Sequence, residues 1–199
     1  MDEKQALRKE LRAARRAEVE ALPTSMRGLV FRHPPAPLLA KIPASAAIGL
    51  YHATAHEAPT AAYARWFHER GFTVALPWFA QRGATMQFRL WSDPYADVLV
   101  PDPHGALQPS ADARRVIPQV VFVPLVGFTA HGERLGQGGG HYDRWLEANP
   151  SALAIGLAWD CQMVEALPSE THDRPLAAVV TPTRLYETPG FTKVTADAP

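Results

Sequence analysis

A single cysteine, Cys161, is all that 199 residues provide, so neither an intramolecular disulfide nor a cysteine-based metal cluster is open to this chain. That usage fits a reducing compartment, and a cytoplasmic setting is expected. No apolar run approaches the roughly 18 residues that a membrane span requires. The opening MDEKQALRKE is charged from its second residue, which argues against a signal peptide or an N-terminal anchor. Excess charge is missing too: Lys+Arg 20 against Asp+Glu 20 gives a formal net charge of +0. That balance is wrong for a general nucleic-acid binder or for a protein of anionic membrane surfaces. Internal repeats and a second composition regime are absent. One domain is therefore expected over residues 1–187, with 188–199 as a loose tail.

What the chain does hold is proline: 19 of them, about twice the usual ~5%, which implies rigid loops and abrupt element ends. Residues 2–22 predict a helix with Leu7, Leu11 and Ala14 as its apolar stripe and Pro23 as its stop. Lys4, Arg8, Arg12 and Arg15 line one side of it. They read as a solvated basic face, or as Lys4 and Arg8 reaching together toward a phosphate chain. A nucleic-acid arm fits less well, because Asp2, Glu3, Glu10, Glu18 and Glu20 offset the charge. Residues 33–43 predict a connector without regular structure. A strand follows at 46–51, then a loop to Pro59, a helix at 61–70 capped by Thr60 and ended by Gly71, and a strand at 72–76 closed by Pro77. That unit is the mark of an α/β fold with a mostly parallel central sheet flanked by helices. Further expectations are an edge strand or hairpin at 86–91, an irregular excursion at 92–115, and strands at 116–124, 152–158 and 177–181. A helix is expected from His141 and a short one at 162–167.

Between the strand at 116–124 and the helix from His141 lie Gly132, Gly136, Gly138, Gly139 and Gly140, with Arg134 among them and Asp143 just beyond. A Walker A loop needs a lysine after its last glycine, and none is present. A dinucleotide fingerprint fails as well: His141 stands where the third glycine belongs, and the loop begins far from the strand end. The underlying physics still applies. Glycine amides can converge on phosphate oxygens and lead into a helix N-terminus that favours an anion, while Arg134 can add a bidentate contact. Asp143 reads as a helix-start residue or as a Mg²⁺ ligand. Asp173 reads as a turn former or as a second carboxylate. Glu57 follows a strand end, where α/β proteins keep ligand-binding groups, although many such loop glutamates simply face water. A phosphate-bearing nucleotide, one Mg²⁺ and a smaller partner near Glu57 would satisfy the whole set.

The segment VPLVGFTAHGERLGQGGGHYDRWL resembles the hallmark of 5-formyltetrahydrofolate cyclo-ligases (5,10-methenyltetrahydrofolate synthetases). There, a strand ending in Val-Pro precedes Phe-Asp-x-x-Gly-x-Arg-Leu-Gly, a glycine-rich step and Tyr-Tyr-Asp. Lys4-x-x-Leu7-Arg8, the segment ending at Glu57, and the run from Gly156 through Gln162 to His172-Asp173 are similar to that family in the same order. The resemblance implies a fold related to sugar-phosphate isomerases and CoA-transferases. It also implies ATP-dependent conversion of 5-formyltetrahydrofolate to 5,10-methenyltetrahydrofolate. It assigns Lys4, Arg8, Arg134, Leu135, Gly136, Gln137, Gly138, Gly139, Gly140, His141 and Tyr142 to ATP, and Asp143 and Asp173 to Mg²⁺. Glu57, His52 and Gln137 go to the folate, with Arg134 and Glu57 as the catalytic pair. Three departures stand out: Thr129 replaces an aspartate, Gln137 an aromatic or basic residue, and His141 the first aromatic of Tyr-Tyr-Asp. They keep open a folate- or nucleotide-binding protein of the same fold with little turnover. Small molecules are the expected partners, without nucleic acid or membrane, and the chain is expected to be a monomer or weak homo-oligomer.

Overall fold

A computed structural model describes residues 3–27, 29–96, 98–168, 174–189 and 191. Helix α1 (Glu3–Ala21) and the one-turn helices α2 (Thr24–Arg27) and α3 (Ala36–Leu39) precede β1 (Ala47–Gly49). Helix α4 (Ala61–Glu69) and strand β2 (Thr73–Trp78) complete the first strand–helix–strand unit. Short strands β3 (Gln87–Leu90), β4 (Val100–Pro101), β5 (Leu107–Gln108) and β6 (Arg115–Val116) lead to β7 (Val120–Pro124). Then come β8 (Gly127–Phe128), β9 (Arg134–Leu135), α5 (His141–Ala148), β10 (Leu153–Leu157), β11 (Ala178–Val180) and β12 (Leu185–Glu187).

Eight of the strands form one sheet in the order β12–β11–β10–β7–β1–β2–β3–β6. The five in the middle run parallel, and the antiparallel β12, β3 and β6 close its two ends. The central run VVFV of β7 is fully buried because both faces of the sheet are covered. Strand alternation divides it: Val120 and Phe122 join one core with Tyr63 and Phe67 of α4, while Val121 and Val123 join another with Trp145 and Leu146 of α5. The amphipathic α1 lies elsewhere, over the segment that leaves β7. There Leu11 packs with Val126 and Leu135, and a Cβ on Gly127 would stand 2.5 Å from Leu11 Cδ1. Only glycine lets the helix come so close. No helix among the described residues is long and apolar enough to cross a membrane.

Several expectations are corrected. The 33–43 connector contains α3, with Pro35 at its N-cap position and a proline in its first turn, where a missing N–H costs nothing. Strand β2 does not stop at Pro77. β1 has already ended on the side that a Pro77 N–H would face, so the proline forfeits no ladder bond, and β2 continues to Trp78 against β3. Of the two alternatives for 86–91 the hairpin holds: β3 pairs antiparallel with β2, and it is not an edge, since β6 lies outside it. Thr60 does hold the N-cap position of α4, but its hydroxyl makes no capping bond and donates instead to the Tyr51 carbonyl. The 92–115 excursion contains the small hairpin β4–β5. The strand expected at 116–124 is two, broken around Pro118. At 162–167 there is no helix: a one-turn 3-10 helix, Asp160–Gln162, ends where Met163 bridges to Phe128. The loose tail is wrong for its first residues, because the Thr188 hydroxyl donates to Ala177 and Phe191 is buried beneath Lys41. Residues 190 and 192–199 lie outside the described residues.

Candidate active site

The glycine-studded segment divides into two parts. Its first half is the hairpin β8–β9, where Val126 N donates to Leu135 O (2.7 Å) and Thr129 N to Glu133 O (3.0 Å). Gly132 has φ 87°, and a Cβ there would meet Leu176 O at 2.5 Å, so this glycine serves packing. Thr129 is fully buried under the hairpin and its hydroxyl donates to Glu133 Oε2 (3.0 Å). The Thr129 departure therefore shapes the hairpin and not the wall of the cleft.

The second half, residues 136–140, turns into α5. Gly138 (φ 103°) and the N-cap residue Gly140 (φ 63°) take left-handed backbone that other residues avoid. Here α1 clamps the turn through two residues of its basic stripe. Arg8 Nε donates to Gly136 O (2.9 Å), and Arg12 donates through Nε (3.2 Å) and Nη2 (2.7 Å) to the Gln137 carboxamide oxygen. Arg15 is buried with Nη1 on Leu125 O (3.4 Å). Arg8 and Arg15 are thus turned toward the glycine turn and the segment that leaves β7, while Arg12, though exposed, is tied to Gln137.

A cleft of about 430 Å³ opens above the carboxyl ends of β1, β2 and β7, the place where open α/β sheets bind ligands. Lys4 and Arg8 line one wall, residues 134–143 another, and Tyr51, His52, Phe79 and Met86 the remainder. At its mouth three rings from three elements meet. Phe79 lies 4.9 Å from both His104 and His141, and the two imidazoles are 5.3 Å apart. Burial first, then the neighbouring Arg144 and His104, holds the His141 pKa below its usual value. Burial also lowers that of His52, against the opposing pull of Asp102 and Glu57. Tyr142 is pushed well above the ordinary phenol range by burial and by the Glu57 charge.

Two carboxylates flank this space. Glu57 Oε2 accepts from Thr54 N (2.9 Å), while Oε1 accepts from Gln137 Nε2 (3.1 Å). Gln137 therefore stands between Arg12 and Glu57 and ties α1, the glycine turn and the loop after β1 together. Asp143 is gripped by Arg134 Nη2, whose Nη1 donates to Arg174 O (2.6 Å). The Arg134 side chain is only 4% exposed and that of Asp143 36%. Asp173 lies outside the described residues, and among the described residues no three His, Cys, Asp or Glu side chains gather for a metal. Sequence reading missed Phe79, Met86 and Asp102 as cleft residues, and His104 as the ring packed against Phe79 and His141. It saw Arg12 only as a member of the stripe, whose four-residue spacing from Arg8 was the available signal.

The profile of the 5-formyltetrahydrofolate cyclo-ligase family matches residues 1–182. The 5-formyltetrahydrofolate cyclo-ligase of Escherichia coli strain K12 is 46% identical over 86 residues, which are 40% of this chain and 47% of that protein. The enzyme of the same name from Haemophilus influenzae is 45% identical over 78 residues, 36% of this chain and 42% of that one. These matches thus span about half the length of the relatives. Among solved structures, Aquifex aeolicus 5,10-methenyltetrahydrofolate synthetase superposes with a TM-score of 0.72 at 25% identity, over 94% of this chain and 93% of that one. A profile match that takes in both α1 and the glycine turn, together with an alike fold over nearly the whole length, places the chain in the 5-formyltetrahydrofolate cyclo-ligase family.

Proposed function

We propose that the protein closes 5-formyltetrahydrofolate to 5,10-methenyltetrahydrofolate at the expense of ATP, releasing ADP and phosphate. The observation that carries this reading is the Gln137 bridge. One side chain of the glycine turn, the element suited to phosphates, is hydrogen-bonded to Glu57, the carboxylate suited to folate. The two substrates would therefore meet at that bridge.

In this reading Lys4, Arg8 and Arg134 neutralise phosphate charge and the backbone of residues 135–142 supplies amide donors. Phosphoryl transfer asks for positioning and charge neutralisation more than for a covalent catalyst. The formyl oxygen attacks the γ-phosphorus, N10 then attacks the formyl carbon, and phosphate leaves with the oxygen. Ring closure releases the N10 proton, and Glu57 is the carboxylate on the folate side to receive it. His52 contributes a weaker contact to the same substrate. The donor set fits a Mg²⁺ that takes one or two carboxylates and otherwise phosphate oxygens: Asp143 lines the cleft, partly exposed, with Asp173 as the proposed second ligand. Mg²⁺ bound there would add charge neutralisation.

Purified protein with ATP, Mg²⁺ and 5-formyltetrahydrofolate should generate the absorbance of the methenyl product, with one ADP per product. Tight folate binding with no change in absorbance would instead point to a folate-binding protein without turnover.

A further inference from the structure

The cleft has a neighbour. A second cavity of about 470 Å³ opens beside it, and His52 and Leu107 line both. Glu57 also lines the second cavity, while its hydrogen-bond partner Gln137 lines the first, so the bridge between them marks the junction. The chemistry of the two spaces differs. The first carries the glycine amides with Lys4 and Arg8. The second is walled by Trp91, Leu99, Leu107 and Trp159, and Arg65 is the only lysine or arginine among the described residues that line it.

Arg65 sits in the second turn of α4, and its guanidinium faces the Tyr95 ring at 5.1 Å. Its Nε makes a long contact of 3.4 Å to Pro94 O, and its terminal nitrogens donate to no other described residue. A planar guanidinium stacked on an aromatic ring is pre-organised for a carboxylate. An apolar slot that begins at Glu57 and carries one fork-shaped cation suits a ligand with an aromatic middle and an anionic end.

We propose that this second cavity receives the p-aminobenzoylglutamate arm of the folate, with the benzoyl ring between the apolar walls and a glutamate carboxylate on Arg65. The assignment rests on the cyclo-ligase reading, which puts the N10 end of that arm at Glu57. It separates the roles of the two spaces: phosphates and the reacting ring in the first, the arm and its charge in the second. An adenosine moiety in the second cavity is the competing occupant.

The test compares 5-formyltetrahydrofolate with 5-formyltetrahydropteroate, which lacks the glutamate, in wild type, Arg65→Ala and Arg65→Lys. Wild type should show the lower KM for the glutamate-bearing substrate. Arg65→Ala should raise that KM roughly tenfold, the scale of a lost hydrogen bond to a charged group, so that the two KM values converge, and Arg65→Lys should recover part of the difference. Equal losses with both substrates, or a loss confined to the KM for ATP, would overturn the assignment. If wild type turns over neither substrate, the cyclo-ligase reading fails by itself. The arm is then judged from quenching of Trp91 and Trp159 fluorescence on titration with the same two compounds. Tighter wild-type binding of the glutamate-bearing one, erased in Arg65→Ala, supports the site, and equal binding of both rejects it.

Discussion

Asp143 would lie on two balances at once, one with a metal and one with Arg134. Because the Arg134 side chain is almost fully buried, taking the charge from Asp143 leaves a guanidinium with weaker compensation, a kind of change that costs ~1–3 kcal/mol. Asp143→Asn should therefore lower stability in urea by that order and also raise the Mg²⁺ concentration needed for half-maximal rate, or abolish turnover. A stability loss with wild-type Mg²⁺ dependence would make Asp143 only the counter-ion of Arg134. Glu57 offers a complementary case. It accepts two hydrogen bonds in a partly exposed setting, so its contribution to folding should be small. Glu57→Gln should raise KM for the folate and lower kcat while KM for ATP moves little. Steady-state kinetics with each substrate varied in turn checks this, and an effect confined to ATP would put Glu57 in the wrong half of the site.

At the scale of elements, the glycine turn offers an internal control. Alanine at Gly138 or Gly140 must adopt left-handed backbone, which costs about 1–2 kcal/mol, although a Cβ at Gly138 would have room, its nearest neighbour being Arg8 Cζ at 3.7 Å. Gly136 has neither constraint: nothing lies within 4 Å of an added Cβ and its φ is not positive. Gly138→Ala should thus weaken ATP binding and lower Tm, whereas Gly136→Ala should leave Tm close to wild type. Calorimetry with nucleotide titration distinguishes them, and equal effects would mean that the turn reshapes freely. The same contrast between local and tertiary causes explains what was legible in the sequence. The runs 120–124 and 153–157 read as strands because a strand buried on both faces is apolar throughout. Leu7 and Leu11 read as a helix stripe because the period is local. Pro77 misled because its tolerance depends on where β1 ends, and Thr60 because a carbonyl nine residues earlier takes its hydroxyl. In the site, spacing put Lys4 and Arg8 on one side of α1, the side that lines the cleft, but Phe79, His104 and His141 meet only after β2, the β4–β5 hairpin and α5 have packed. No sequence period encodes that meeting.

For the molecule as a whole, two half-buried histidines of the cleft, His52 and His141, make stability depend on pH in a direction that can be stated beforehand. His52 and His141 both have folded-state pKa values below the ordinary histidine value, chiefly from burial, and for His141 also from the positive Arg144 and from His104. Above the unfolded value of about 6.5, both histidines are neutral in either state and contribute nothing to the pH dependence. As pH falls through that value, the unfolded chain takes up protons that the folded chain still refuses, so unfolding is favoured. The loss grows until the folded-state values are reached and then levels off. Tm should therefore fall as pH drops from about 7 toward the lowered folded-state values. His141→Phe keeps a ring against Phe79 and His104 but cannot be protonated, so its Tm should fall less over the same interval. Because the rings that acid would disturb also line the cleft, folate affinity should weaken over this interval in wild type more than in the variant. Parallel slopes of Tm against pH for the two proteins would locate the acid sensitivity outside this cluster.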